Sequence, residues 1–304
     1  MPSSLLPSLL TMRSMMRRAV SMMTLVLLAA CSVPGGGPKP AQTPTPTASP
    51  TPGTKGFRFA VIGDFGSGSA SQHEVADRMC AWREDHPFDD VITTGDNIYP
   101  DGSRQYFQTR FFAPYACLLD RGVEFHASLG NHDYVTRLGR DVMEEPSFGM
   151  PRRNYVYREG GVRFVIADSN VLDREWLRQA LRPRATDRWT VVAFHHPVYS
   201  TGPHGSTPGY RPSLPRLFER QGVDLVLNGH EHLYLATKRL RQVTYVVTGG
   251  GGASLYSCGS TRWFVARCVA RNHFLYVVAG SERIRVRAVP SIGDPFHRFS
   301  TVGR

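Results

Sequence analysis

Five short segments of this sequence place aspartate, asparagine or histidine directly after an apolar run and beside a glycine or proline. The segments are Gly63-Asp64-Phe65-Gly66, Gly95-Asp96-Asn97-Ile98-Tyr99, Gly130-Asn131-His132-Asp133, Val192-Ala193-Phe194-His195-His196-Pro197 and Gly229-His230-Glu231-His232. Such side chains on loops are metal-ligand types, although a single Gly-Asp pair is also ordinary turn chemistry. His230 and His232 are two residues apart and face one side of an extended segment. Their spacing favours shared metal ligation over two separate structural roles.

The elements that must position these segments alternate between strands and helices. Predicted strands are 57–62, 90–94, 123–129, 155–158, 162–167, 189–194, 223–227, 244–248, 264–269, 274–279 and 284–289, and predicted helices are 70–84, 104–118, 173–181 and 214–221. Glu159-Gly160-Gly161 predicts a hairpin. A chain of 304 residues with 41% hydrophobic content can bury one sizeable core. Together these patterns predict one layered α/β domain, with the chemistry at the strand exits.

The order and wording of the five segments resemble the motifs of purple acid phosphatases, within the calcineurin-like metallophosphoesterases. The resemblance spans residues 57 to about 252 and is closer to the small, tartrate-resistant form than to the larger plant form. It implies a four-layer α/β/β/α sandwich of two mixed β-sheets flanked by helices, over residues 57–304. It also implies an acid phosphatase that hydrolyses phosphate monoesters of small substrates by direct attack of a metal-bound hydroxide.

The resemblance further implies a complete ligand set for two metals. The first metal is assigned Asp64, Tyr99 and His232, the second Asn131, His195 and His230, and Asp96 bridges them. A phenolate favours Fe(III), whereas imidazoles with an amide oxygen suit divalent Fe, Zn or Mn. Tyr99 separates the purple enzymes from other phosphoesterases, and its alternative role is a loop aromatic packed on the domain.

Three further residues are candidates for catalysis. In the family, the positions that match His132 and His204 contact substrate or assist the leaving group, and Asp133 would orient His132. His204 lies in a looser motif and could also be an exposed loop histidine. A proton-donating histidine and a strong Lewis acid both predict an acidic optimum.

Two other functions stay open. A phosphodiesterase or nucleotidase of the same fold would use the same metals with a different pocket, and a non-catalytic surface lipoprotein would keep only the fold. Phe65 and Glu231 depart from residues common in relatives, and the charged loop 137–153 could shape a different pocket. We expect His196 to line the pocket, and the histidines outside the motifs to be structural or at the surface.

The N-terminus carries the pattern of an export signal. Arg13, Arg17 and Arg18 precede an uncharged apolar run, 19–30, that is too short to span a membrane and ends at Cys31. Leu-Ala-Ala-Cys resembles the bacterial lipobox, so we expect residues 1–31 to be a lipoprotein signal and Cys31 to carry lipid; an ordinary cleaved signal is the alternative. Residues 32–56 have the composition of a tether. The predicted location is the bacterial cell envelope.

Charge and cysteines add two expectations. The net charge is +11, of which +3 lies in residues 1–31, leaving +8 (11 − 3) for the rest. The basic residues are scattered, so we predict no nucleic-acid partner; the oligomeric state stays open. Four cysteines remain beyond Cys31, an even number that suggests two disulfides. Of three connectivities, we favour 258 with 268 and 80 with 117.

Overall fold

A computed structural model describes residues 56–303 of the chain. The predicted signal, Cys31 and all but the last residue of the predicted tether lie outside the described residues. The strands are β1 Phe57–Ile62, β2 Asp90–Thr93, β3 Glu124–His126, β4 Tyr155–Glu159, β5 Val162–Ile166, β6 Trp189–Ala193, β7 Leu225–Asn228, β8 Tyr234–Thr237, β9 Thr244–Thr248, β10 Val265–Val269, β11 His273–Ala279, β12 Arg283–Pro290 and β13 His297–Val302. The α-helices are α1 Ala70–Asp85, α2 Ala113–Leu119, α3 Asn131–Val135, α4 Arg140–Glu144, α5 Arg174–Ala180 and α6 Leu214–Gln221.

The strands form two mixed sheets. A six-stranded sheet has the order β13-β12-β11-β1-β2-β3, and a seven-stranded sheet has the order β10-β8-β9-β7-β6-β5-β4. Strands β1, β2 and β3 are parallel in the first sheet, and β5, β6, β7 and β9 are parallel in the second. The carboxyl ends of parallel strands share one edge of a sheet, which is where open α/β folds place their ligands. The five motif segments follow β1, β2, β3, β6 and β7.

Two hydrophobic cores hold the layers together. The first lies between the sheets, where Phe59 of β1 meets Phe164 of β5 edge to face with ring centroids 5.1 Å apart. It continues outward to α1 and α2. The second core packs α5 and α6 on the outer face of the seven-stranded sheet, through residues such as Leu177 and Phe218. The predicted four-layer α/β/β/α sandwich is therefore confirmed.

Several element boundaries differ from the predictions. The predicted helix 104–118 is divided into a 3₁₀ turn at Arg104–Tyr106, a π-helical turn at Gln108–Phe112 and α2, which has proline in its first turn. The predicted strand 123–129 is hydrogen-bonded only at Glu124–His126. Strands β8 and β13 were not predicted. The loop 137–153 contains α4 and two 3₁₀ turns.

Both predicted disulfides are present. Cys80 on α1 is bonded to Cys117 on α2, with Cα atoms 6.2 Å apart, and Cys258 is bonded to Cys268 on β10, with Cα atoms 6.1 Å apart. The first joins the two helices that cover the six-stranded sheet, and the second closes the loop before β10. Within residues 56–303, no helix has the length and apolar character needed to cross a bilayer.

Candidate metal centre

The backbone at the strand exits is strained where the candidate ligands lie. Asp64, Asp96 and His230 have φ angles of 56°, 51° and 70°, in the left-handed region that residues other than glycine rarely adopt. Such strain persists only when the surrounding structure enforces it, and it concentrates at functional sites. Gly130 lets the backbone approach closely, since a Cβ there would overlap the Asp96 side chain and amide. The turns are thus held where the side chains converge.

Four predicted ligands meet in what we call the Tyr99 cluster: Asp64, Asp96, Tyr99 and His232. The Tyr99 hydroxyl lies 3.0 Å from Asp96 Oδ2, 3.0 Å from His232 Nε2 and 3.4 Å from Asp64 Oδ1. His232 Nε2 is also 3.5 Å from Asp64 Oδ1. One hydroxyl, one imidazole nitrogen and two carboxylate oxygens therefore surround a single point.

The other predicted ligands form the Asn131 cluster: Asn131, His195 and His230, again with Asp96. Asn131 Oδ1 is 2.9 Å from His195 Nε2 and 3.0 Å from His230 Nδ1, and the two ring nitrogens are 3.2 Å apart. Asp96 Oδ2 reaches within 3.5 Å of His195 Nε2. Ligand atoms of Asp64, Asp96 and His195 all lie within 4.8 Å of one another. The two clusters are therefore adjacent and share the Asp96 carboxylate.

Backbone carbonyls determine which ring nitrogen of two histidines faces the centre. His195 Nδ1 donates to the Thr94 carbonyl at 2.9 Å, and His232 Nδ1 donates to the Ser254 carbonyl at 2.8 Å. Each bond leaves Nε2 free to act as a ligand atom, an arrangement that commonly supports metal-binding histidines. His230 differs because it presents Nδ1 to the cluster.

Backbone amides fix the two aspartates. The His230 amide donates to both oxygens of Asp64, at 3.1 and 3.0 Å, and the His132 amide donates to Asp96 Oδ1 at 2.8 Å. Asp96 thus has one oxygen held by the backbone and leaves the other, Oδ2, between the clusters. This division of roles suits a carboxylate that bridges two cations.

Burial and crowding shift the pKa values of the acidic groups. Burial raises the pKa of Asp96, and burial with the nearby charges of Asp64 and Asp96 raises the pKa of Tyr99 well above its ordinary value. Burial would also raise the pKa of Asp64, but the His232 hydrogen bond and the charge of His195 lower it below its ordinary value. The donor set is anionic, buried and crowded, which is the environment that polyvalent cations stabilise.

The histidines are shifted in opposite directions. Burial acts to lower the pKa of His195 and His232, but the carboxylates of Asp96 and Asp64 outweigh it and raise both. For His230, burial and the neighbouring His195 lower the pKa to about 3. A neutral imidazole is the form that binds a metal. The residues present therefore fit a two-cation site by donor type, convergence and charge.

The two predicted catalytic histidines lie at the opening of the site. The His132 ring packs on Tyr99, with centroids 4.4 Å apart, and its Nδ1 lies 2.7 Å from the Pro100 carbonyl. The His204 side chain is 48% exposed and its ring lies 4.6 Å from that of His230. Both rings border the clusters without belonging to them, so they are accessible to a molecule that enters from solvent.

Asp133 has different partners from the predicted one. Its carboxylate is fully buried and accepts from the amides of Asn97, Ile98 and Gly130 and from the Asn97 side-chain amide. The His132 ring is held by the Pro100 carbonyl instead. Asp133 therefore ties the loop after β2 to the start of α3, and it supports Asp96, Tyr99 and Asn131 through the backbone.

Two residues without a predicted role also border the site. Tyr256 stacks on His232 with centroids 4.2 Å apart, and Glu231 is fully buried with Oε2 3.5 Å from His204 Nδ1. The sequence marks Glu231 only as a departure from the motif, and nothing in the sequence around Tyr256 marks that residue. His196 lines the site as predicted, with its ring centroid 4.7 Å from that of His230.

The charged loop 137–153 is tied down beside the site. Arg137 pairs with Asp141 and Glu144, and Arg104 also reaches Glu144 at 2.7 Å. Arg153 forms an ion pair with the buried Asp168 at 3.3 Å. The loop is therefore a structured rim next to α3.

Comparisons with known proteins agree with this geometry. Residues 57–234 match the family model described as calcineurin-like phosphoesterase. The chain is 29% identical over 229 residues to purple acid phosphatase 7 of Arabidopsis thaliana, covering 64% of this chain and 69% of that protein. It is 24% identical over 249 residues to tartrate-resistant acid phosphatase type 5 of Mus musculus, covering 68% and 75%.

A solved structure shows the same fold. Purple acid phosphatase PPD1 from yellow lupin (Lupinus luteus) seeds superimposes with a TM-score of 0.73 at 20% identity, covering 84% of this chain and 55% of that chain. The resemblance read from the five segments is confirmed by these matches.

Proposed function

Because the chain belongs to the calcineurin-like phosphoesterase family, we propose that it is an acid phosphatase that hydrolyses phosphate monoesters at a dinuclear metal centre. One observation carries the proposal. Asp96 Oδ2 lies 3.0 Å from the Tyr99 hydroxyl and 3.5 Å from His195 Nε2, so a single carboxylate oxygen touches both ligand clusters. The similarity to purple and tartrate-resistant acid phosphatases supports the same reaction.

The two clusters define the two proposed metal sites. The first metal would be held by Asp64, Tyr99, His232 and Asp96, and the second by Asn131, His195, His230 and Asp96. The Tyr99 cluster has three potentially anionic oxygen donors, which favour a hard trivalent ion such as Fe(III). The Asn131 cluster has two imidazoles and an amide, which suit divalent Fe, Zn or Mn. When bound, such a pair supplies Lewis-acid activation of water and neutralisation of phosphoryl oxygens.

The chain's own residues would complete the reaction at the opening of the site. His132 beside Tyr99 and His204 beside His230 are accessible imidazoles, suited to bind the phosphoryl group and to protonate the departing oxygen. Asp133 would not contact the substrate; it would hold in place the loop that carries Asp96 and Tyr99.

Metal analysis with parallel assays tests the proposed function. Purified protein should contain two metals per chain, hydrolyse p-nitrophenyl phosphate faster than its bis ester, and lose activity on chelation. A faster reaction with the bis ester would favour the phosphodiesterase, and absence of both metal and turnover would leave only a binding role.

The Tyr99→Phe variant tests the hard half of the site. We expect it to lose a visible tyrosinate-to-Fe(III) absorption band and to retain less iron. Tyr245→Phe is a matched control, because Tyr245 is also buried and its hydroxyl has no hydrogen-bond partner in the described part of the chain. A band that survives in Tyr99→Phe would overturn the assignment of Tyr99.

We also propose that the protein is exported and anchored to the cell envelope through lipid on Cys31. The arginine-flanked apolar run and the tether composition support this proposal. Labelling with a fatty acid in cells should mark the wild-type chain and not Cys31→Ser. Equal labelling of both would rule out Cys31 as the site.

A further inference from the structure

One face of the six-stranded sheet carries a row of arginines that the proposed phosphatase reaction does not use. Phe59 points from β1 towards Phe164 of the other sheet, so its neighbour Arg58 points to the outer face of the six-stranded sheet. In the sheet register, Arg58 lies opposite Val278, and Val278 lies opposite Arg285. Residues directly opposite one another share a face, so these three point outward together.

The same face continues along β12 and β13. Positions two apart on a strand share a face, which adds Arg283 and Arg287 to Arg285, and Arg287 lies opposite Arg298 on β13. We call the five residues the arginine face: Arg58, Arg283, Arg285, Arg287 and Arg298. Arg285 and Arg298 are exposed, and the other three are half-buried.

Within residues 56–303, none of these five side chains has an ion-pair partner; all fifteen pairs there involve other residues. Elsewhere on the surface arginines are commonly paired, as in Arg137 with Asp141. Like charges held on adjacent strands repel one another, which destabilises the sheet unless an anion lies over them.

A cleft within the arginine face has the size and charge for a phosphate group. It has a volume of about 350 Å³ and is lined by Arg58, Arg285 and Arg287, with Asp85 as its one acidic lining residue. The Arg287 guanidinium lies 5.9 Å from the Tyr276 ring, which holds it against the sheet. Guanidinium groups bind phosphate oxygens in bidentate fashion and are weakly hydrated, so they lose little on binding.

The position of the face on the molecule indicates its partner. Arg58 is the second residue of β1, directly after the segment 32–56 whose composition predicts a tether. Asp64 of the metal centre follows the other end of β1, which ends at Ile62, about 13 Å from Arg58 at 3.3 Å per residue. A flat anionic surface could therefore cover the arginine face and leave the opening of the metal centre free.

We propose that the arginine face docks on an anionic phospholipid surface. The five guanidinium groups are spread over three strands of one sheet, β1, β12 and β13, and do not lie on a helix that could enter a nucleic-acid groove, which favours a membrane over DNA or RNA. Each arginine near an anionic bilayer increases partitioning about fivefold. The inference concerns a surface remote from the metal centre and does not depend on the reaction catalysed there.

Vesicle binding by the full chain carrying Cys31→Ser tests the proposal. The Cys31→Ser substitution removes the proposed lipid, and the apolar run 19–30 then contributes equally to vesicle binding in every variant compared. Vesicles of phosphatidylcholine with about one third phosphatidylglycerol should bind the protein more tightly than phosphatidylcholine alone, and added salt should weaken the difference. The double variant Arg285→Gln/Arg287→Gln should bind the anionic vesicles about 25-fold more weakly.

A matched control separates the face from net charge. Arg216→Gln/Arg220→Gln removes the same charge from exposed positions of α6, which packs on the other sheet. The control should lose less than about threefold in partitioning, since it affects only the long-range field. Turnover of p-nitrophenyl phosphate should match wild type in both variants, and neither variant should unfold at a lower temperature than wild type.

Three results would overturn the docking proposal. Equal losses of vesicle binding in the two double variants would show that binding depends only on the net charge of the protein. Unchanged binding in Arg285→Gln/Arg287→Gln would show that the face does not touch the membrane. A DNA oligonucleotide that binds more tightly than the vesicles and needs the same arginines would identify a different polyanion as the partner.

Discussion

Replacing Asp133 with alanine should destabilise the fold strongly, because three buried backbone amides would lose their acceptor. The amides of Asn97 and Gly130 donate to the carboxylate at 2.9 Å, and that of Ile98 donates at 3.1 Å. A buried donor without an acceptor costs about 1–3 kcal/mol. Because water can enter part of the space, we expect the free energy of unfolding to fall by about 3–6 kcal/mol, a large part of the 5–15 kcal/mol typical of a domain.

Urea unfolding of the metal-free protein measures this loss. Asp133→Asn should lose less than alanine, since its amide oxygen still accepts. Asp141→Ala is the control: Asp141 is also a buried carboxylate, but it accepts from one backbone amide, that of Arg104, and otherwise pairs with the half-exposed Arg137, so its loss should cost much less. If Asp133→Ala unfolds at nearly the wild-type urea concentration and yet loses activity, Asp133 acts in the chemistry and the structural explanation fails.

The same carboxyl group predicts a pH dependence. Burial and the charge of Asp96 raise the pKa of Asp133 from 3.8 to about 7, although backbone amides act in the opposite direction. The raised pKa means that the fold favours the protonated form. The resulting stabilisation is complete below about pH 4 and is lost as pH rises through about 7. Asp133→Asn cannot titrate, so wild type should lose stability relative to it across this window; a constant difference would contradict the shift.

Further predictions concern other parts of the molecule. Glu231→Gln should loosen His204. It should then slow hydrolysis of alkyl phosphates about tenfold more than hydrolysis of p-nitrophenyl phosphate, because only the alkoxide, the poorer leaving group, needs a proton from His204. Equal slowing of both substrates would count against His204 as a proton donor. Replacing Cys258 and Cys268, ten residues apart, with serine should lower the free energy of unfolding by about 3 kcal/mol, measured in urea. Chelation should lower the thermal midpoint of wild type and change that of Tyr99→Phe less, because a weakened site has less binding energy to lose; equal shifts would refute this.

Several strand exits could be predicted because a mainly apolar run stops there at a glycine or a polar residue. Phe57–Ile62 and Thr244–Thr248 have their predicted bounds for this reason. Strand β13 was not predicted because its inward positions include His297 and Thr301 and its exposed positions include Val302, so its apolar alternation is weak. The predicted helix 104–118 is divided in the structure, and Phe111 of its π-helical turn stacks on Phe148 at 4.2 Å, a tertiary contact that sequence periodicity does not reveal.

The composition of the site could be predicted, but its atomic arrangement could not. The order of the five motifs predicts seven candidate ligands, and all seven converge in the structure. Which nitrogen of His195 or His232 faces the centre depends on carbonyls of Thr94 and Ser254. The partners of Asp133 likewise lie in another segment of the chain. Contacts between distant segments leave no local pattern from which they could be inferred.

The clusters draw side chains from both sheets, and this has a consequence for how the protein assembles. Asp64 and Asp96 leave the six-stranded sheet, whereas His195 and His230 leave the seven-stranded one. A half-folded chain with one sheet formed would hold only part of the ligand set. Cations should therefore bind after the two sheets have packed together, and they should then crosslink the two sheets through the shared ligands. Metal-loaded protein should accordingly unfold more slowly than metal-free protein, and the contact between the two sheets at the ligand clusters should be the last to separate.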